Sequence, residues 1–202
     1  LAEAYADLDN DERARAASFI FPRDRDRFVR AHGYLRRQLG AFVRMAPSEV
    51  PIVVGDGGKP FVEGRRVRFN LSHSGSRAVV AMTRDRDIGI DIEAIDRSAS
   101  FEDELDGLSR ACLNPDERAA LSLAPRAQRV RRFLSYWTAK EARMKLTGEG
   151  MALDPQSIAL KLSDGLPVGY LRPHAPRADL LFIPSRPDMI CCIALQSDDG
   201  AG

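Results

Sequence analysis

Ile88-Gly89-Ile90-Asp91-Ile92-Glu93 alternates isoleucine with glycine and acids, the pattern of a β-strand. Strand side chains alternate faces, so Ile88, Ile90 and Ile92 line one side and Gly89, Asp91 and Glu93 the other. Two carboxylates therefore converge beside a residue that has no side chain. Like charges in the middle of an apolar strand are costly unless a cation compensates them. Just upstream, residues 78–83 form a second strand and Arg84-Asp85-Arg86-Asp87 a polar turn, which predicts a β-hairpin over 78–92.

Helical signals lie on either side. Residues 128–147 carry Phe133, Trp137, Glu141 and Lys145 at successive i, i+4 spacing, one connected stripe that Gly148 and Gly150 end. Asp9-Asn10-Asp11-Glu12 opens a capped helix that Pro22 interrupts. A basic helix follows over 24–45, with Phe28, Leu35, Leu39 and Phe42 as its apolar stripe and arginines far outnumbering Asp24 and Asp26. That excess is either a solvated face or a site for a polyanion. Ile52-Val53-Val54 is a short strand, and Gly55-Asp56-Gly57-Gly58 is a turn that sets Lys59 beside backbone N–H groups able to meet a phosphate. Asn114-Pro115-Asp116-Glu117 starts another helix, broken at Pro125, and residues 158–162, 179–183 and 189–195 are short strands. Helix then strands, twice over, gives an α+β fold in two halves.

Composition narrows the function classes. A net charge of +1 over 202 residues gives no global pull toward nucleic acid or membrane, so an anion site must come from local clustering. The three cysteines fit no disulfide framework, and the adjacent Cys191 and Cys192 read as core residues on opposite faces of a strand. No run approaches the ~18 apolar residues of a membrane span and no signal-peptide core opens the chain, so the expected location is the cytoplasm.

Asp91, Glu93 and Glu141 supply three carboxylates, with too few cysteines and histidines for a zinc set. Hard oxygen donors favour magnesium, which binds one or two carboxylates together with substrate phosphates; an ordinary salt-bridge network is the alternative. Ser72-His73 does not form a hydrolytic pair. Neighbours in a strand face opposite ways, there is no Gly-x-Ser-x-Gly elbow, and neither His32 nor His174 lies in a motif that completes a triad. Both residues fit better as donors to phosphate oxygens, and a packed structural histidine is the other reading of His73.

Three blocks resemble the signature motifs of Sfp-type 4′-phosphopantetheinyl transferases, in the same order and at similar spacing. They are Phe69-Asn70-Leu71-Ser72-His73-Ser74-Gly75, the strand Ile88 to Glu93, and Trp137-Thr138-Ala139-Lys140-Glu141-Ala142-Arg143-Met144-Lys145. With Gly58-Lys59-Pro60 and Phe21-Pro22-Arg23 the resemblance spans about residues 11–165. It implies a pseudo-dimer of two similar α+β halves, 1–87 and 88–202, with the active site in the cleft between them. It also implies transfer of the 4′-phosphopantetheine arm of coenzyme A to a serine of an acyl or peptidyl carrier protein, with 3′,5′-ADP leaving. Asp91, Glu93 and Glu141 match the family's magnesium ligands and Lys145 its catalytic lysine. Lys59, Ser72 and His73 match positions that hold coenzyme A phosphates, and Arg23 and Arg25 lie where basic residues approach the 3′-phosphate. Glu141 is the candidate proton acceptor and Lys145 the group that stabilises the leaving phosphate.

Two departures from the family stand out. His32 occupies a position where several members carry an arginine toward the 3′-phosphate, so either a neighbour such as Arg36 compensates or discrimination is weaker. Leu1-Ala2-Glu3-Ala4-Tyr5 leaves little room for the strand that precedes the first helix in the family, so either the chain is trimmed there or its N-terminal half has a reduced sheet. Residues 97–113, with Phe101, Leu105, Leu108 and Leu113, are expected either to grip the carrier helix at the mouth of the site or to pack against their own domain. The enzyme is expected to be a monomer without nucleic-acid or membrane partners. The other functional readings are a non-catalytic module that binds coenzyme A or another nucleotide, and a magnesium-dependent phosphohydrolase.

Overall fold

Pro22 has no N–H to leave unpaired and a φ already suited to a helix, so it begins the basic helix as well as ending the segment before it. The computed structural model describes residues 1–55, 57–95, 98–171 and 176–198, with the backbone alone for residues 99, 100 and 151. Asp56, Arg97 and His174 lie outside the described residues. The expected α+β class is borne out, and two compact units make up the chain: Leu1–Val53 with Pro60–Arg66, and Val54–Lys59 with Val67 onward. The hairpin of residues 67–84 belongs with the larger unit.

The smaller unit holds α1 (Ala2–Ala6), α2 (Asn10–Ala17) and α3 (Pro22–Val43). Asp9 caps α2 as its sequence predicts, accepting from the Glu12 N–H at 2.8 Å while Glu12 accepts the Asp9 N–H at 3.4 Å. At the centre of this unit Arg36 is only 1% exposed. Its guanidinium donates to the carboxylates of Asp9 and Glu12 and to the carbonyls of Pro47 and Val50, at 3.1 and 3.0 Å. A buried arginine drawn away from here would strand two carboxylates and two carbonyls, so Arg36 is committed to holding this unit together.

β1 (Ile52–Val54) pairs with β2 (Pro60–Val62), and Gly58 takes a left-handed φ of 78° in the turn between them. In the larger unit β3 (Val67–Ser74) and β4 (Arg77–Arg84) form an antiparallel hairpin, with Ser74 opposite Arg77 and Gly75 at φ 60° in the two-residue loop. The hairpin predicted over 78–92 is therefore corrected. The main-chain partner of β5 (Ile88–Ala94) is the distant β9, because a two-residue glycine loop matches strand twist and captures β4 for β3 instead.

The chain continues through α4 (Ala99–Cys112), α5 (Pro115–Ser122), α6 (Arg126–Thr147), β6 (Leu160–Ser163), β7 (Leu166–Tyr170), β8 (Ala178–Phe182) and β9 (Met189–Gln196). β5, β9 and β8 make an antiparallel sheet in that order. β6 and β7 pair apart from it, and Pro167 sits next to a register shift there, a place where a strand tolerates proline.

The two faces of β5 separate as its alternation predicts. Ile88, Ile90 and Ile92 pack with Ala81, Met189 and Cys191. Cys192 joins the opposite core, so the paired cysteines do face opposite ways. That second core is built on α6, with Phe133, Leu134, Ala139, Ala142 and Leu146. Leu105 and Leu113 are buried in it, Phe101 and Leu108 pack against it, and the Phe101 ring lies 6.3 Å from that of Phe133. The set expected to grip a carrier is thus the inner face of α4, turned into its own unit because burial within the chain satisfies it without a partner. No described helix is long and apolar enough to cross a membrane.

Burial pushes the Glu12 carboxyl up, but the hydrogen bonds and charges of His32 and Arg36 outweigh it and hold the group below its ordinary value of 4.5. An acid lowered on folding stabilises the fold above its unfolded pKa, and that stability is lost as pH falls through the folded value. Glu12→Gln is expected to cost about 2 kcal/mol at about pH 7, with the gap from the parent narrowing at an acidic pH below the group's ordinary value of 4.5. Urea unfolding at the two pH values measures it, and a gap of constant size would overturn the assignment.

Candidate functional site

Main-chain pairing with β9 uses one edge of β5, and side chains from β3 take up the other. The Ile90 N–H donates to Asn70 Oδ1 at 2.9 Å, the Ile92 N–H to Ser72 Oγ at 3.4 Å, and the Ala94 N–H to Ser74 Oγ at 3.0 Å. Alternate residues of β3 thus act as teeth of a comb against alternate amides of β5. The two serines do more. Ser72 Oγ donates to Asp91 Oδ1 at 2.9 Å and Ser74 Oγ donates to Glu93 Oε2 at 3.0 Å. Asn70 and Ser74 carry no role of their own in the sequence reading; the period-two polar pattern of 70, 72 and 74 within the first motif needed the strand beside it to acquire meaning.

α6 closes the other side. A Cβ on Gly89 would stand 2.0 Å from the Ala142 carbonyl oxygen and 2.4 Å from the Leu146 nitrogen, so only glycine lets the helix lie this close to β5. The approach brings Lys145 Nζ to 2.6 Å from Asp91 Oδ1, 3.0 Å from Ser72 Oγ and 3.6 Å from Glu141 Oε2. One helical turn separates Glu141 from Lys145, as the i, i+4 stripe requires. Next to Glu141, Lys140 is wholly buried and pairs with the equally buried Glu117 at 2.7 Å while donating to the Pro155 carbonyl at 2.8 Å. This pair, invisible in the sequence because its partners lie on different helices, fixes the rotation of α6.

Burial pushes the Asp91 carboxyl up even against the pull of Lys145 and Ser72. Burial and the like charge of Asp91 raise Glu93. Burial raises Glu141, with Asp91 adding to it and Lys145 opposing. Asp91 Oδ2 is buried without a hydrogen-bond partner among the described residues. Among the described residues no three acidic, histidine or cysteine side chains are gathered tightly enough to enclose a metal unaided. An all-oxygen set with mutual repulsion and an unpartnered buried oxygen nevertheless fits a hard divalent cation that completes its shell with substrate oxygens or water.

The other predicted residues have separate surroundings. Lys59 donates to the Leu146 carbonyl at 2.6 Å and to Asp87 at 3.1 Å, and its stem lies against Gly148, where α6 ends at φ 82°. Burial lowers its ammonium pKa, with Asp87 opposing. His73 is exposed, on the opposite face of β3 from Ser72. In the smaller unit Arg23 is exposed beside Asp24, Arg25 donates twice to Asp26 Oδ1 at 2.9 and 2.7 Å, and His32 stacks on Phe28 with Nδ1 2.9 Å from Glu12.

Residues 87–185, which contain Asp91, Glu93, Glu141 and Lys145, match the family described as the 4′-phosphopantetheinyl transferase superfamily. The chain is 39% identical over 165 residues to the 4′-phosphopantetheinyl transferase HetI of Nostoc sp., a match covering 79% of this chain and 68% of that one. The chain belongs to the 4′-phosphopantetheinyl transferase superfamily. The resemblance carried by the three motifs is thereby borne out. A phosphopantetheinyl transferase of Thraustochytrium sp. is 30% identical over 173 residues, but this chain spans only 60% of its length. The crystal structure of a holo-(acyl-carrier-protein) synthase from Bacillus anthracis is 24% identical, with a TM-score of 0.43 over 54% of this chain and 93% of that one. Lys59, Ser72, His73, Arg23, Arg25 and His32 of this transferase-family chain all precede the family match.

The position of Lys59 at the end of α6 generates a test that needs no ligand. Lys59→Met is expected to destabilise the protein by about 1–2 kcal/mol, by freeing a helix-terminal carbonyl and removing a cation from the negative end of the helix. Thermal unfolding measures the loss. An unchanged Tm would mean that the contact contributes nothing to the fold.

Proposed function

We propose that this chain transfers the 4′-phosphopantetheine arm of coenzyme A to a serine of an acyl or peptidyl carrier protein. One observation carries the reading: Asp91, Glu93, Glu141 and Lys145 stand together where β5 meets α6, inside the region that matches the transferase family. Asp91, Glu93 and Glu141 would hold magnesium, which when bound supplies positive charge against the diphosphate of coenzyme A. Glu141, about one-fifth exposed and raised toward neutrality by burial, is suited to accept the proton of the attacking serine hydroxyl. Lys145 is aimed by Asp91 and Ser72 and reaches the same space, where its ammonium can donate to the leaving phosphate of 3′,5′-ADP.

The phosphate contacts are a finer part of the same proposal. His73, exposed beside the comb, is suited to a phosphate of coenzyme A. Lys59 and Ser72 already serve the fold and the carboxylates, so a phosphate would have to share them. Arg23, Arg25 and His32 are proposed for the 3′-phosphate on the family resemblance alone. The pseudo-dimeric division at residues 87 and 88, a monomeric state and a cytoplasmic location belong to the proposal too.

The test incubates the chain with coenzyme A, magnesium and an apo carrier protein, followed by intact-mass measurement of the carrier. The expected result is a carrier heavier by one phosphopantetheine, abolished by chelator. Glu141→Gln should lower the rate at least about 100-fold with Tm close to the parent's, since its one ion pair among the described residues is the 3.6 Å approach of Lys145. Phosphate release without carrier modification would favour a phosphohydrolase, and coenzyme A binding with neither product a non-catalytic module.

A further inference from the structure

The comb between β3 and β5 repeats one arrangement twice. Ser72 Oγ accepts the N–H of Ile92 and donates to the carboxylate one residue earlier, Asp91. Ser74 Oγ accepts the N–H of Ala94 and donates to the carboxylate one residue earlier, Glu93. Asn70, the third tooth, accepts the N–H of Ile90. The residue before Ile90 is Gly89, which has no carboxylate to hold. Each serine therefore ties a side-chain oxygen of one acid to the backbone of the next residue, a closed link that fixes the acid's χ angles relative to the strand.

The link has a chemical direction. A serine hydroxyl has one hydrogen, and in each case it goes to a carboxylate oxygen. For Asp91 the oxygen so engaged is Oδ1, which also receives Lys145, while Oδ2 stays buried and unpartnered among the described residues. For Glu93 the engaged oxygen is Oε2. Hydroxyls that anchor one oxygen of an acid leave the other to face a ligand, the role that outer partners play around metal-binding side chains.

We infer that Ser74 and Ser72 are positioning residues for the metal-binding carboxylates, Ser74 acting on Glu93 and Ser72 on Asp91 and Lys145. This rests on the reading of Asp91, Glu93 and Glu141 as ligands of a divalent cation. It assigns the Ser74 hydroxyl to the carboxylate and not to the coenzyme A phosphates. Ser74 is the better position to test, because it is half-buried and a threonine there keeps the hydroxyl on a strand that favours β-branched residues.

Free Mn2+ measured by electron paramagnetic resonance gives the metal affinity of the full chain without substrate. Ser74→Ala is expected to weaken Mn2+ binding about 10-fold and Ser74→Thr to restore it, with the KM for coenzyme A at saturating metal unchanged in both. Amide exchange at Ala94 should quicken in Ser74→Ala alone. Parent-like Mn2+ affinity in Ser74→Ala would overturn the inference, as would an equal loss in Ser74→Thr. A raised KM for coenzyme A with metal affinity intact would also overturn it and place the hydroxyl on the substrate. Asp91→Asn separates the two levels: if it binds Mn2+ as the parent does, the ligand assignment itself falls and the positioning role with it.

Discussion

Backbone against backbone, α6 rests on β5 at Gly89, and the site depends on that contact. A single methyl group there would overlap the Ala142 carbonyl and the Leu146 nitrogen, atoms of a helix that cannot move aside alone. Close approach is what lets Lys145 reach Asp91 from a helix, and what lets Glu141 belong to the same group of charges. The helix is then held in three ways. Its apolar face sinks into the core with Phe133, Ala139 and Leu146, its buried Lys140 pairs with Glu117, and its last turn ends on Gly148 with Lys59 at the Leu146 carbonyl. A buried ion pair contributes little net stability, but it disfavours other rotations of the helix, and rotation decides where the next residue, Glu141, points.

Burial raises the proton affinity of the acids at the other side of this contact, Asp91 adds to it at Glu93 and Glu141, and Lys145 with the hydroxyls of Ser72 and Ser74 offsets it. The isoleucines on the back of β5 make that tolerable by holding the strand through Ala81, Met189 and Cys191, so that stability comes from one face while the other stores repulsion.

Much of this was legible in the sequence because it is local. Period two over residues 88–93 and the i, i+4 stripe from Phe133 to Lys145 each depend on a single element's geometry, and both were read with their faces correct. Gly89 stood out as a gap between acids. What the sequence hid was partnership across distance. Arg36 reads as one arginine of a basic helix, yet four acceptors from α2 and the loop after α3 enclose it. Phe101 and Leu105 read as a sparse apolar set and turned out to be one side of a core whose other side, on α6, lies about thirty residues on. Lys59 reads as a residue of a glycine turn, and nothing near it announces that the end of α6 lies next to it. The pairing of β5 failed for the same reason: its partner β9 is about a hundred residues away, and nothing near β5 announces it.

The comb makes the site a matter of parity. Asn70, Ser72 and Ser74 reach β5 only because they share one face of β3, and the residues between them, Leu71 and His73, face the other way. One residue gained between Ser74 and Gly75 would leave the strand's composition and hydropathy almost untouched, yet would turn leucine and imidazole toward the carboxylates and carry every hydroxyl away from them. The chemistry is thus written in an odd-even count along β3, and kept in step by the two-residue loop at Gly75 that locks β3 to β4.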